Sequence, residues 1–279
     1  MSFFKQFPKV QYDFERNGII QNVVNIYRSV RPLQNFIDNS SAYTYHEIMN
    51  GERPDIVSQR LYDNPNYYWT FFIVNDFLHD GTRAWPMSQE DLFDYLEVEY
   101  EGYVINTNPV IVRNTDNIIT EFKDSLAGSV PNASNGAFNL GETIQGSISG
   151  FSGKLTKKNV DLNQLIIQDV NSNAPLGDPD AVSGGTELLV GQTSGDSIST
   201  YQAFKYTEAP HHYFLTGDKE ERQLTNAQFI QGGEASSNLS YKTNRAYINQ
   251  LNDERSRIRV VDPKYIDKFA DEFEKLLNA

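Results

Sequence analysis

From Asn106 to Thr200 the chain contains no Tyr and no Trp, and only Phe122, Phe138 and Phe151 represent the aromatic class. Outside that window aromatics are dense, with sixteen Tyr, seventeen Phe and two Trp in the whole chain. One uniform core does not change character so abruptly, so the pattern predicts a domain boundary at each end of the window. The window itself is rich in Gly, Ser, Asn and Thr. Its short β-branched runs, Val110-Ile111-Val112, Ile118-Ile119 and Leu165-Ile166-Ile167, read as brief strands between turns.

A weak internal repeat lies inside it. Glu142-Thr143-Ile144-Gln145-Gly146-Ser147-Ile148-Ser149-Gly150 recurs as Glu187-Leu188-Leu189-Val190-Gly191-Gln192-Thr193-Ser194-Gly195, sharing the pattern Glu-x-x-x-Gly-x-x-Ser-Gly. Two copies predict two similar strand-and-turn units in a small β-barrel or sandwich. Between them, Asn171 to Gly185 holds Pro175, Gly177, Asp178-Pro179-Asp180 and Gly184-Gly185, which predicts an exposed loop.

The flanks are helical in character. Pro54-Asp55 opens a short helix through Ile56, Val57 and Leu61, because proline costs nothing in a first turn. Asn64 as cap and Pro65 as first residue start a second helix, Asn66 to Asn75, apolar nearly all round and therefore buried. Before this pair Tyr43 to Ile48 alternates like a strand. After it Ser88, with Asp91 three residues on, resembles a capping box for a helix carrying Leu92, Phe93 and Leu96 on one face. A further helix from Thr243 to Glu254 leads into a strand, Ile258 to Val261, and Asp262-Pro263 caps a last helix. There Ile266, Phe269, Ala270, Phe273, Leu276 and Leu277 follow helical spacing and define one apolar stripe, free to dock on this chain's own core or on a partner.

Composition narrows the chemistry. With no cysteine, disulfides and thiolate sites are excluded, and no apolar run reaches the ~18 residues of a membrane-spanning helix. The opening lacks the features of a secretory signal, so export by that route is not expected. A net charge of −13 repels phosphate backbones at long range. The most basic stretch, Arg255-Ser256-Arg257-Ile258-Arg259, places its arginines on one strand face opposite Ile258 and Val260, an edge for solvent or a partner.

No enzyme class emerges. The four histidines His46, His79, His211 and His212 lack metal-ligand spacing, and His211 and His212 as strand neighbours would point to opposite faces. Gly150 to Leu155 fails as a phosphate loop, since Ile148 and Leu155 occupy the positions of its first Gly and its Ser/Thr. Glu97, Glu99 and Glu101 at alternate positions read as a charged strand edge. Gly146-Ser147-Ile148-Ser149-Gly150 has Ile where a nucleophile elbow needs Ser. Neither a cofactor nor a metal site is expected.

The segment from Gly51 through Arg53-Pro54-Asp55 and Leu61-Tyr62-Asp63-Asn64-Pro65-Asn66-Tyr67-Tyr68-Trp69 to Asp76 resembles the LysM-like module of phage tail and baseplate proteins. Together with Phe7 to Phe14, Asn25-Ile26-Tyr27-Arg28, Trp85-Pro86-Met87-Ser88 and the ending from Arg245 to Leu277, the chain is similar to the LysM-like baseplate wedge subunit of T4-like contractile-tailed phages. The block from about Asn106 to Thr200 departs from that pattern.

The resemblance implies an α+β fold: an arm over residues 1–40, a LysM-like β-α-α-β module over 41–105 and a returning segment over 203–279 that ends in an amphipathic helix; the departing block, 106–202, reads from its own residues as an inserted small all-β domain, a barrel or sandwich. It implies a non-enzymatic virion protein of the tail baseplate, assembled in the host cytoplasm. Such a subunit joins neighbouring wedges around the hub and contacts helical core-bundle subunits, a sheath-like wedge subunit and adjacent copies of itself, not nucleic acid, membrane or a small molecule. Candidate contact residues are Arg28, Trp69, Trp85, Arg257, Arg259, Phe269 and Phe273. The alternative is a carbohydrate-binding module, since LysM folds elsewhere bind cell-wall glycan; a cell-wall hydrolase is a further rival.

Overall fold

A computed structural model describes residues 7–25, 42–107, 110–113, 119–123, 138–159, 162, 164–176, 187–198, 201–224 and 239–278. The fold is mixed α+β, and the chain divides into two compact units, Met1–Leu92 with Gln250–Ala279, and Phe93–Asn249.

The first unit opens with a hairpin of β1 (Lys9–Tyr12) and β2 (Gln21–Val24). Its turn is held by the Asp13 carboxylate, which accepts the N–H groups of Asn17 (3.2 Å) and Gly18 (2.8 Å). Next come β3 (Tyr43–Glu47) and α1 (Pro54–Tyr62), where proline takes the first helical position as its missing N–H allows. Asp63, in the left-handed region at φ 54°, ends α1.

Asn64 then caps the next element, its side chain accepting the Asn66 N–H at 3.0 Å. The single helix expected over 66–75 is instead a 3₁₀ turn, Pro65–Tyr67, followed by α2 (Trp69–Val74). The Thr70 hydroxyl donates to the Tyr67 carbonyl at 2.8 Å and the Phe71 N–H to Tyr68, so the first turn stays tight. Two further 3₁₀ turns lead to α3 (Gln89–Glu99), capped by the Ser88 hydroxyl accepting the Asp91 N–H at 3.1 Å. Two expectations fail on α3. Phe93 is 51% exposed while Leu96 is buried, and Glu97 and Glu99 lie on the helix, not on a strand edge.

The second unit is built on a seven-stranded antiparallel sheet. Its strands are β4 (Tyr103–Thr107), β7 (Thr143–Gly146), β8 (Ser152–Asn159), β9 (Gln164–Gln168), β10 (Leu189–Gly191), β11 (Ser197–Ile198) and β12 (Tyr201–Lys205). β5 (Val110–Arg113) pairs with β6 (Ile119–Lys123), and β13 (Pro210–Leu215) with β14 (Leu239–Thr243), each as a separate ribbon. The order across the large sheet is β11-β10-β7-β8-β9-β4-β12.

Its two edge strands, β11 and β12, are consecutive in the chain. Seven strands laid flat would separate those edges by roughly 29 Å, whereas Ile198 and Tyr201 are joined by three peptide units, at most about 11 Å. The sheet is therefore rolled. Its inward side chains, Ile105, Ile144, Phe151, Leu155, Leu165, Ile167, Leu189, Ile198 and Tyr201, form one buried cluster with Phe138.

The chain leaves the second unit along α4 (Asn244–Ser256) and completes the first with β15 (Arg257–Val261) and α5 (Ile266–Asn278). β15 pairs antiparallel with β3, Arg259 opposite Tyr45. The apolar stripe of α5 docks on this chain's own core, where Ile266, Phe269, Ala270, Phe273 and Leu277 join Phe7, Trp69, Val74 and Val261. A neighbouring cluster packs Phe71 and Leu78 with Val57, Trp85, Ile258 and Val260.

Candidate partner-binding surface

The sequence-derived contact residues separate into two groups. Trp69 (3% exposed), Phe269 (2%) and Phe273 (4%) are packed on one another, with ring centroids 4.8 Å apart for Trp69 and Phe273 and 6.2 Å for Trp69 and Phe269. They build the core and offer no surface. Trp85 is 8% exposed, and its indole N–H donates to the Glu52 carbonyl at 2.7 Å. Arg28 lies outside the described residues.

Arg257 and Arg259 are placed differently. As the alternation predicts, Ile258 and Val260 face inward from β15 and are 0% and 1% exposed. The guanidinium of Arg257 lies over the Tyr45 ring, 4.9 Å from its centroid, and that of Arg259 over the Tyr43 ring at 5.2 Å. Both guanidiniums thus sit on ring faces of β3, and Tyr45, beneath Arg257, is 69% exposed. Burial raises the Tyr43 phenol above its ordinary pKa, with Arg259 opposing the shift.

The main chain here has one satisfied edge and one open edge. Asp262 N–H donates to Ala42 O and Ile48 N–H to Ser256 O, which makes Thr44 and His46 the inward-bonding residues of β3. Arg259 turns its own N–H and C=O outward, and Asn75 takes both: Oδ1 accepts the Arg259 N–H at 2.8 Å while Nδ2 donates to the Arg259 carbonyl at 2.8 Å. On β3 the corresponding outward groups belong to Tyr43, Tyr45 and Glu47, and among the described residues β3 pairs with β15 alone.

A second exposed surface is the β1–β2 hairpin. Phe7 anchors its base in the core, but Val10 (39%), Tyr12 (56%), Phe14 (63%), Ile19 (62%) and Ile20 (63%) face solvent. Sequence reasoning named this region only through its resemblance to the family, because four-residue strands carry too little periodicity to reveal which face stays open.

Two buried carboxylates carry the repeat. Glu142 (5% exposed) accepts the N–H groups of Thr193 and Ser194, the Ser194 hydroxyl and the Asn139 N–H. Glu187 (2%) accepts the N–H groups of Ile148 and Ser149, the Ser149 hydroxyl and the Leu176 N–H. Burial pushes both carboxyls upward, but the converging donors outweigh it and hold both below the ordinary carboxylate value. Carboxylates so fully engaged are structural caps.

His211 and His212 depart from expectation. A β-bulge between Pro210 and His212 breaks the alternation, and their Nδ1 atoms lie 2.9 Å apart. The His211 ring stacks on Tyr247 with centroids at 3.7 Å. Burial lowers the pKa of both, and the nearby Lys242 charge adds to the shift. Among the described residues no group of three or more His, Cys, Asp or Glu side chains is arranged to hold a metal ion, and no helix is long and apolar enough to cross a membrane.

No family model matches the chain, and no curated protein matches it.

Proposed function

We propose that this protein is a structural connector of a phage contractile-tail baseplate, joining neighbouring wedges through protein–protein contacts. The observation that carries the reading is the β1–β2 hairpin, anchored by Phe7 and apolar on its exposed side. A two-stranded hairpin is marginal alone in water, and a cluster of exposed Val, Tyr, Phe and Ile suits a surface that another protein covers. The resemblance of the 41–105 segment to a LysM-like module supports the same reading. The stretch Arg53 to Asp76 that carries the resemblance supplies two helices, the second packed against β15, with Trp69 in the core.

The test is localisation. Purified contractile tails probed by cross-linking mass spectrometry should yield links between the hairpin, through Lys9, and a different baseplate protein. Absence of the chain from intact tails would overturn the connector, and saturable sedimentation with purified peptidoglycan would replace it by the carbohydrate-binding alternative.

A further inference from the structure

We propose that the outer edge of β3 accepts an extended acidic segment of a partner protein as an added strand, with Arg257 and Arg259 binding its carboxylates. The inference rests on the connector reading and names the partner chemistry for one of its surfaces. Three observations converge on it. The N–H and C=O groups of Tyr43, Tyr45 and Glu47 point away from β15, offering a ladder at every second residue. The opposite edge is closed, because Asn75 holds the outward groups of Arg259.

The third observation sets the sign of the charge. Arg257 and Arg259 lie over the rings of Tyr45 and Tyr43, so each guanidinium sits on the sheet face against a side chain of the open-edged strand. Neither forms an ion pair with a carboxylate among the described residues, in a chain whose net charge is −13. Side chains of an added strand that share this face would lie beside those guanidiniums, and a carboxylate suits their planar donor fork. Glu47 stands on the same face opposite Arg257, so the acidic residues of the incoming strand belong at the Tyr43 and Tyr45 positions. Tyr45 supplies a rigid exposed ring on that same face.

The experiment is an NMR titration of the isotope-labelled full chain with a capped peptide alternating Glu and Val, against the same peptide with Lys in place of Glu. The expected result is saturable movement of the Tyr43, Tyr45 and Glu47 amide signals with the Glu peptide only. Arg257→Glu with Arg259→Glu should weaken that binding by roughly tenfold or more, equal to about 1.4 kcal/mol or more. Tyr45→Pro should abolish it with both arginines present, because it removes an outward N–H that no internal ladder uses. The proposal is overturned if the Glu peptide causes no saturable movement, if the Lys peptide acts equally, or if folded Tyr45→Pro protein binds as before. A chain found in tails yet indifferent to the peptide loses this edge alone; one that binds the peptide yet is absent from tails loses the baseplate reading instead.

Discussion

Glu142 and Glu187 each cap the turn that follows the other's strand. The Glu142 carboxylate receives the N–H groups of Thr193 and Ser194, and Glu187 those of Ile148 and Ser149, across the antiparallel pair β7 and β10. The surrounding bonds repeat the exchange: Ser147 N–H donates to Leu188 O and Gln192 N–H to Thr143 O. Here the sequence repeat has a physical meaning, since Glu-x-x-x-Gly-x-x-Ser-Gly is half of a reciprocal lock.

Removing either cap leaves buried N–H donors without an acceptor, a penalty of about 1–3 kcal/mol. Glu142→Ala and Glu187→Ala are each expected to lower the unfolding free energy of the second unit by that amount, measured by urea denaturation. Gly146 and Gly191 belong to the same lock, because an added Cβ would lie 2.5 Å and 2.7 Å from the carboxylate oxygens of Glu187 and Glu142. Gly146→Ala should therefore destabilise the wild type but cost little in a Glu187→Ala background, a coupling that a double-mutant cycle measures.

Trp69 reports on the first unit's closure. Trp69→Ala should cost roughly 3–5 kcal/mol, as expected for a buried aromatic. Phe273→Ala should cost a comparable amount and, with Trp85→Phe removing the other indole, red-shift the remaining tryptophan emission.

Asn75 discriminates between polarity and size. Its amide donates to the carbonyls of Phe71 and Arg259, both at 2.8 Å, and its Oδ1 accepts the Arg259 N–H. Asn75→Asp turns a donor into an acceptor facing two carbonyl oxygens. Thermal denaturation should show it less stable than wild type by about 2 kcal/mol or more, with partial recovery at acidic pH as the carboxyl protonates.

Acid should destabilise the second unit in two stages. His211 and His212 are held below their ordinary value of 6.5, so the unfolded chain takes up their protons first and stability falls as pH drops below that value. Glu142 and Glu187 are held below 4.5, so their contribution is complete above that value and disappears as pH falls toward their folded pKa. Urea midpoints followed by circular dichroism from neutral pH downward should show both stages. In Glu142→Gln with Glu187→Gln, the lower stage should be much reduced.

Much of this fold was legible because it rests on local rules. Asn64 and Pro65 announced their turn, Pro54 its helix, and the spacing of Ile266, Phe269, Phe273 and Leu277 the buried face of α5. What escaped depends on distant contacts. Nothing near Glu142 in the chain reveals that Thr193 and Ser194 are its partners, and the β-bulge that joins His211 to His212 is set by pairing with β14. Nor could aromatic content separate Trp69, enclosed by a helix 200 residues away, from Tyr45, left in solvent. Arg257 and Arg259 were readable as one face of a strand because alternation alone fixes it, but the edge expected of them is closed by Asn75. The open side of β3 was not readable, since it depends on which flank Asn75 occupies.

Because Trp69 waits for α5, the first unit's core stays unfinished until about 200 further residues have left the ribosome. At ordinary elongation rates that interval is roughly 10–40 s. During it the rolled sheet, whose strands lie wholly within the intervening stretch, can already be complete. A nascent chain would thus carry one finished body and one open aromatic cleft, vulnerable to chaperones and proteases until β15 and α5 arrive.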